Sequence, residues 1–414
     1  MHFSIPYAKQ NIEIEVPDEN VISFIFKQNK KKVMVLDENK IIREAIDNPV
    51  KTQKLSSLAY HKKNACILVS DITRPCPSYK FLPYIIDELK KAAVSDIKVL
   101  FGLGIHRKHT LDEKIKLVGG YVAENVKLID FDIGDTVLIG KTSFNTPVEI
   151  SRLATSSDFL VATGNIEYHY FAGYSGGAKA VMPGICSRNS ISANHKMMLM
   201  DSVVAASFSS NPVRHGIEEA GKLAGIDFIF NVILDDNKNI IAAVSGKNNE
   251  AFIEGINIYD SIYEISSSSK AGLIITSPGG HPKDINLYQA QKAIDNVKDI
   301  AENGAIILLV AACAEGFGED KFEEWMKKAS QYDLLHKRIN EKFVLGGHKA
   351  IAISKLMTKA KLFAYSQFDK NTLNSINFEK VDDLQDFINK KIKKNKNIKI
   401  AVVANGRYVK YKSK

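Results

Sequence analysis

Residues 164–184 read GNIEYHYFAGYSGGAKAVMPG, which sets His169 and Lys179 on a track of five glycines. Glycine accepts positive φ and close backbone approach, so AGYSGGAK reads as a loop folded against something and presenting backbone N–H groups, with a phosphate as the obvious guest. It is not a P-loop, because GxxxxGK[ST] is absent and Ala180 follows the lysine, and it carries no GxGxxG dinucleotide signature. A plain glycine-rich connection ending in a surface lysine stays open on these residues alone. Three residues further on, SRNSISANHKMMLM (187–200) has the look of a helix that starts near Ser187 or Asn189. Ile191 and Leu199 flank His195 at four residues on either side, so His195 is expected to face inward, to be neutral, and to keep a nitrogen free for a proton or a metal.

Other loops offer chemistry of their own. Asp71 and Arg74 in SDITRP suit the anchoring of a hydroxylated or anionic ligand, since a guanidinium can fork onto a carboxylate or phosphate; the bland version is a salt bridge shaping the turn before Pro75. His106 and His109 in IHRKHT have the spacing of a zinc pair but lie on a loop with no carboxylate or cysteine at matching spacing. In NLYQAQK, Tyr288 and Lys292 are four residues apart on one helix face, with Gln289 beside them; an exposed lysine lying over a tyrosine ring is the bland version. His281 also adjoins such a loop, whereas His2, His61, His215, His336 and His348 read as ordinary core or surface histidines.

The elements that position these residues alternate. ACILVS (65–70), IKVLFGLG (97–104), DFLVATG (158–164), GLIITS (272–277) and AIILLVAAC (305–313) are short apolar runs, most of them leading through a polar or glycine-bearing loop into a helical segment. Thr110 and Glu113 have capping-box spacing and mark one helix start. The fold class expected is α/β: two domains with mainly parallel sheets flanked by helices. A boundary is expected near 262–270, in YEISSSSKAG, giving an N-terminal cofactor-binding domain of residues 1–265 and a C-terminal domain of residues 270–397. The last run, IKIAVVANG, suggests that 398–414 rejoins the first domain. Ligands of open α/β sheets sit beyond the carboxyl ends of the strands, so the active site is expected in the interdomain cleft.

The remaining bounds exclude several classes. At 414 residues with a net charge of +9, the densest basic runs, KQNKKK (27–32) and KKIKKNKNIK (390–399), are short, distant from each other and free of interleaved aromatics, so they read as solvated faces and not as a nucleic-acid surface. The four cysteines form no CxxC pair, which fits a reducing compartment. The first twenty residues lack the apolar core of a signal peptide, and the longest apolar run is too short to span a bilayer. The expectation is a cytoplasmic protein with neither membrane nor nucleic acid as partner; the sequence sets no oligomeric state.

In order along the chain, DITRP (71–75), GLGIHR (102–107), HYFAGYSGGAKAVMPG (169–184), the pair Asn194 and His195, and LYQAQKA (287–293) closely resemble the lactate racemase family. The resemblance covers nearly the whole chain, and the 169–195 block is its most specific part. It implies a nickel-pincer nucleotide (Ni(II)-pyridinium-3,5-bisthiocarboxylate mononucleotide) supplied by separate cofactor-biosynthesis enzymes. Lys179 would carry it through a thioamide bond. His195 would be the protein's nickel ligand, completing a planar set whose other donors are the cofactor's two sulfurs and a ring carbon, an arrangement that suits nickel(II). His106 and His169 match the two acid/base histidines. Asp71, Thr73 and Arg74 match the loop that anchors cofactor and substrate, while Gln289 and Lys292 match substrate-holding residues with Tyr288 beside them. The implied reaction is interconversion of D- and L-2-hydroxy acids, lactate first, by proton-coupled hydride transfer. A hydrogen next to a carboxylate is a very weak acid, and side chains cannot accept hydride, so a ketone route with a cofactor is the easier one. Alternatives are a racemase or epimerase of another 2-hydroxy acid and, more remotely, a zinc-type hydrolase or lyase using His106, His109, His169 and His195.

Overall fold

The apolar runs become the strands of two separate sheets in the computed structural model, which describes residues 1–22, 25–26, 37–169, 171–200, 203, 206–235, 237–267, 269–341, 344, 346–406 and 410–413. The chain divides into two compact units, one of residues 30–262 and one of residues 1–29 together with 263–414. The lysine run at 27–32 lies outside the described residues.

In the 30–262 unit, a six-stranded sheet runs in the order Ile240–Gly246, Phe228–Leu234, Phe159–Asn165, Asn64–Ser70, Asp96–Gly102, Lys127–Asp130. All neighbours are parallel except the first pair. Parallel strands are covered on both faces, which is why FLVATGN is buried at every position. The helix Ser78–Lys91 follows the Asn64–Ser70 strand and turns Phe81, Leu82, Ile85, Ile86 and Leu89 inward at helical spacing. Each such side chain contributes about 1.5–3 kcal/mol by leaving water. The helix Leu111–Val118 starts at the expected capping box, Thr110 and Glu113 each accepting the other's backbone N–H. Ser187, not Asn189, caps the helix Arg188–Lys196, accepting the Ser190 N–H.

The other unit holds a five-stranded, wholly parallel sheet in the order Phe378–Lys380, Lys361–Tyr365, Ala301–Val310, Ala271–Thr276, Ile400–Val403. Here the expected domain layout needs correction. The closing strand does not rejoin the first domain: Ile400 pairs with Leu273, and the strand completes the C-terminal sheet. The segment that returns is the N-terminal one. The antiparallel hairpin His2–Tyr7 and Gln10–Glu15 puts Ile5 and Ile14 into one core with Val16, Leu273, Ile275, Leu308 and Ile388. Hydrophobic alternation identifies a strand but not its neighbour, so the pattern was silent on this exchange.

The helix Leu287–Val297 is capped by Asn286, which accepts the Gln289 N–H. Leu287, Ala290, Ala293, Ile294 and Val297 form its buried stripe, which leaves Tyr288, Gln289 and Lys292 partly exposed. No described helix is long and apolar enough to cross a membrane.

Candidate active site

Ser70 lies opposite Gly102 in neighbouring parallel strands, so the loops that leave them emerge side by side. Asp71, in the first loop, is buried, and its Oδ1 accepts the Thr73 N–H at 2.7 Å. Its Oδ2 lies 3.1 Å from Nδ1 of His106, in the second loop, and 3.9 Å from Nε of Arg74. Burial alone would raise the Asp71 carboxyl, but the His106 hydrogen bond, the Arg74 charge and the Thr73 contacts outweigh it and hold it at about 2. An ionised carboxylate only accepts, so Nδ1 of His106 carries the proton and Nε2 of the neutral ring is an acceptor. The His106 side chain is 42% exposed. Thr73 and Arg74 are exposed as well. His109 does not pair with His106 around a metal: its Nδ1 is 2.7 Å from Asp130 Oδ1, and its Nε2 accepts the Ile72 N–H at 3.2 Å.

His169 sits on the two-residue strand Tyr168–His169, paired with Gly173–Tyr174. Its Nδ1 accepts the Ala172 N–H at 3.2 Å, so the neutral ring has its proton on Nε2, the opposite tautomer to His106. The ring meets the edge of Phe171, and Phe171 meets His195 in turn, with centroids 4.6 and 4.8 Å apart. On its helix, His195 is half-buried one turn beyond buried Ile191; the Leu199 side chain lies outside those described. Burial, and then the nearby charge of Lys179, lower the His195 pKa to about 4, so the ring is neutral as expected. Its Nδ1 is buried with no hydrogen-bond partner.

Lys179 is half-buried on the short 3-10 turn Gly177–Ala180. The glycines before it are needed for close packing. Gly176 has φ of 87°, and a Cβ there would come 2.4 Å from Asn231 Oδ1, the same oxygen that accepts the Gly177 N–H at 3.0 Å. Fully buried Arg214 donates to the carbonyls of Tyr174 (3.0 Å) and Gly176 (3.3 Å), pairs with Glu218 and stacks on Phe252 at 4.0 Å. The N–H groups of Tyr174, Ser175, Gly177, Lys179, Val181, Met182 and Gly184 all donate within the chain. The track is folded against the protein, and these seven donors are used there. It also ties the site together, because Gly104, in the His106 loop, donates its N–H to the Gly184 carbonyl at 2.8 Å.

In the other unit, Lys292 Nζ donates to Gln289 Oε1 at 3.0 Å. A different lysine lies over the Tyr288 ring. Buried Lys349 holds that place, with Nζ 3.2 Å from the ring centroid and 2.9 Å from the Tyr288 carbonyl it donates to. Burial, and then the charge of Glu319, raise the Tyr288 phenol. Arg214, Asn231, Asp130 and Lys349 were all missed by the sequence reading. Only His109 carried a signal, and its partner is 21 residues away.

The donor set can be tested against a metal cofactor. A neutral imidazole with an orphaned buried nitrogen is a ready ligand for a transition metal. Among the described residues, no three His, Cys, Asp or Glu side chains cluster to hold a metal unaided, so a zinc centre with three protein ligands finds no support. A metal taken by His195 must bring its other donors on a carrier, and the Lys179 amine offers that carrier an attachment. The residues present fit a lysine-tethered metal cofactor.

Fold and site together define an α/β protein whose 30–262 unit carries His106 on a loop and His169 on a short strand, and sets His195 near the charge of a lysine on a glycine track. Residues 7–207 match the family model for the lactate racemase N-terminal domain, and residues 266–409 that for the lactate racemase C-terminal domain. The lactate racemase of Thermoanaerobacterium thermosaccharolyticum is 34% identical over 343 residues, 81% of this chain and 80% of that protein. That of Lactiplantibacillus plantarum is 32% identical over 326 residues, 77% of this chain and 76% of that one. The solved lactate racemase apoprotein from T. thermosaccharolyticum superposes with a TM-score of 0.90 at 30% identity, each chain covered in full. A Thermotoga maritima crystal structure shares the fold at a TM-score of 0.65 and 16% identity, over 92% of this chain and 99% of that one. The chain belongs to the lactate racemase family and is an isomerase.

Proposed function

We propose that the chain interconverts the D and L forms of a small 2-hydroxy acid, lactate first, with Lys179 and His195 holding a nickel-pincer nucleotide. The observation that carries this reading is the pair itself: a half-buried lysine beside a neutral histidine whose Nδ1 has no partner. When bound, such a group supplies the hydride acceptor that no side chain offers. The rest falls to the chain's own residues. The exposed guanidinium of Arg74 binds the substrate carboxylate. Nε2 of His106 takes the hydroxyl proton of one enantiomer, and ionised Asp71 stabilises the imidazolium that forms. To return a proton when the keto carbon is reduced on its other face, His169 must be the imidazolium, its Nδ1 released from the Ala172 N–H and protonated. Donation from Nε2 then leaves a neutral ring, and the two rings exchange roles for the opposite enantiomer. Each proton transfer is worth on the order of 10²–10⁴ in rate.

The test uses chain produced together with the enzymes that build the nucleotide. Intact mass, nickel content and interconversion of D- and L-lactate are measured on one preparation. The reading expects added mass on the Lys179 peptide, about one nickel per chain, and neither in a folded Lys179→Ala variant. Bound zinc with no added mass overturns it. Added mass and nickel without lactate turnover moves the substrate to another 2-hydroxy acid, which a panel of such acids identifies.

A further inference from the structure

We propose that His109 is a positioning residue: backed by Asp130, it clamps the Ile72 amide and thereby aims Asp71 at His106. The inference rests on the reading of His106 as a proton-transfer group.

Within the 71–74 loop, the Thr73 N–H donates to Asp71 Oδ1 at 2.7 Å and the Arg74 N–H to the Asp71 carbonyl at 3.1 Å. Both bonds are internal, so they shape the turn without fixing where it points. The Ile72 N–H differs: it reaches out of the loop to Nε2 of His109 at 3.2 Å. To accept it, Nε2 must be bare, and the Asp130 carboxylate 2.7 Å from Nδ1 holds the ring's proton on that side. Asp130 is pinned in turn. Its Oδ2 accepts the His109 N–H at 3.2 Å and meets Lys114 Nζ at 2.9 Å. It ends the strand Lys127–Asp130, with Phe101 as its partner in the neighbouring strand, and the Phe101 ring packs on the His109 ring. The His109 and Asp130 side chains are only 1% and 6% exposed. His109 therefore cannot reach a substrate. What it can do is carry the rigidity of two sheet strands to the residue next to Asp71, whose Oδ2 sets the His106 ring at 3.1 Å.

Two amide replacements divide the ring's duties. In His109→Gln the side-chain oxygen falls near the position of Nε2 and can still accept the Ile72 N–H. In His109→Asn the amide falls near Nδ1, within reach of Asp130 but not of Ile72. Both remove the ring, so a packing loss appears in both. Hydrogen–deuterium exchange of the Ile72 amide is measured in the chain without cofactor, and kcat and KM for lactate in the loaded enzyme. The expected result is exchange about tenfold faster in H109N, for one lost hydrogen bond, and close to wild type in H109Q. The expected kcat falls up to about 10²-fold in H109N, more than KM rises, and largely returns in H109Q. Equal Ile72 exchange in all three proteins, or equal kcat loss in both variants, overturns the proposal. Loss of the underlying reading looks different: His106→Asn would then turn over like wild type, whatever the exchange data show.

Discussion

His106 and His169 carry their protons on opposite nitrogens because different partners claim Nδ1, a carboxylate in one and a backbone N–H in the other. In the proposed cycle one ring takes a proton while the other, as imidazolium, gives one up, so His169 has to release the Ala172 N–H and take a proton at Nδ1 before it can act. Replacing either ring by Asn is expected to lower turnover in both directions by about 10²–10⁴, and the double variant by far less than the product, since the two act in one cycle. Chiral chromatography of each direction separately checks this. Asp71 makes a second prediction. Its folded pKa of about 2 lies below the ordinary 3.8, so the shift stabilises the fold wherever the unfolded carboxyl is ionised and the advantage disappears as pH falls through about 2. The contribution is on the order of 2 kcal/mol. Urea midpoints between pH 5 and pH 2 should fall less steeply in Asp71→Asn than in wild type; parallel curves would contradict this.

At the scale of elements, the glycine track behaves as packed structure. Gly176→Ala meets both a left-handed backbone and the Asn231 oxygen, and is expected to cost on the order of 2 kcal/mol or more. Arg214→Met strips Glu218 of its ion-pair partner and two carbonyls of their donor, with a cost on the order of 3 kcal/mol. Denaturant unfolding measures both, and a Gly176→Ala midpoint equal to wild type would mean that the loop has room to move. These elements also show what a sequence discloses. The capping box at Thr110 was legible because its two members are three residues apart. The glycines were legible as a loop, but not as one packed on Asn231, 54 residues from Gly177. Likewise, His106 and His195 announced themselves by local pattern, whereas Asp130 and Lys349 act through contacts that only the folded sheets create. The four-residue spacing of Tyr288 and Lys292 correctly put them on one helix but could not show that a different lysine takes the ring.

For the whole molecule, the four cysteines Cys66, Cys76, Cys186 and Cys313 are free and buried, and burial pushes every one of their thiols up, three of them to about 12. The native protein is expected to resist iodoacetamide at neutral pH and to take up four labels once unfolded, counted by mass spectrometry. Rapid labelling of the native chain would contradict that burial. Parallel α/β architecture was legible from the apolar runs, while the assignment of chain ends to units was not, because packing between residues near 5 and near 275 leaves no periodic trace. That assignment has a consequence for biosynthesis. The 30–262 unit is in effect an insertion into a unit whose first hairpin leaves the ribosome long before its partners. At about 5–20 residues per second, Ile5 and Ile14 wait tens of seconds for the strand Ala271–Thr276 and longer for Ile400–Val403. During that interval the nascent chain holds a finished middle and an orphaned beginning. The inserted unit can mature, and a chaperone that shields the leading hairpin would set the yield of the whole.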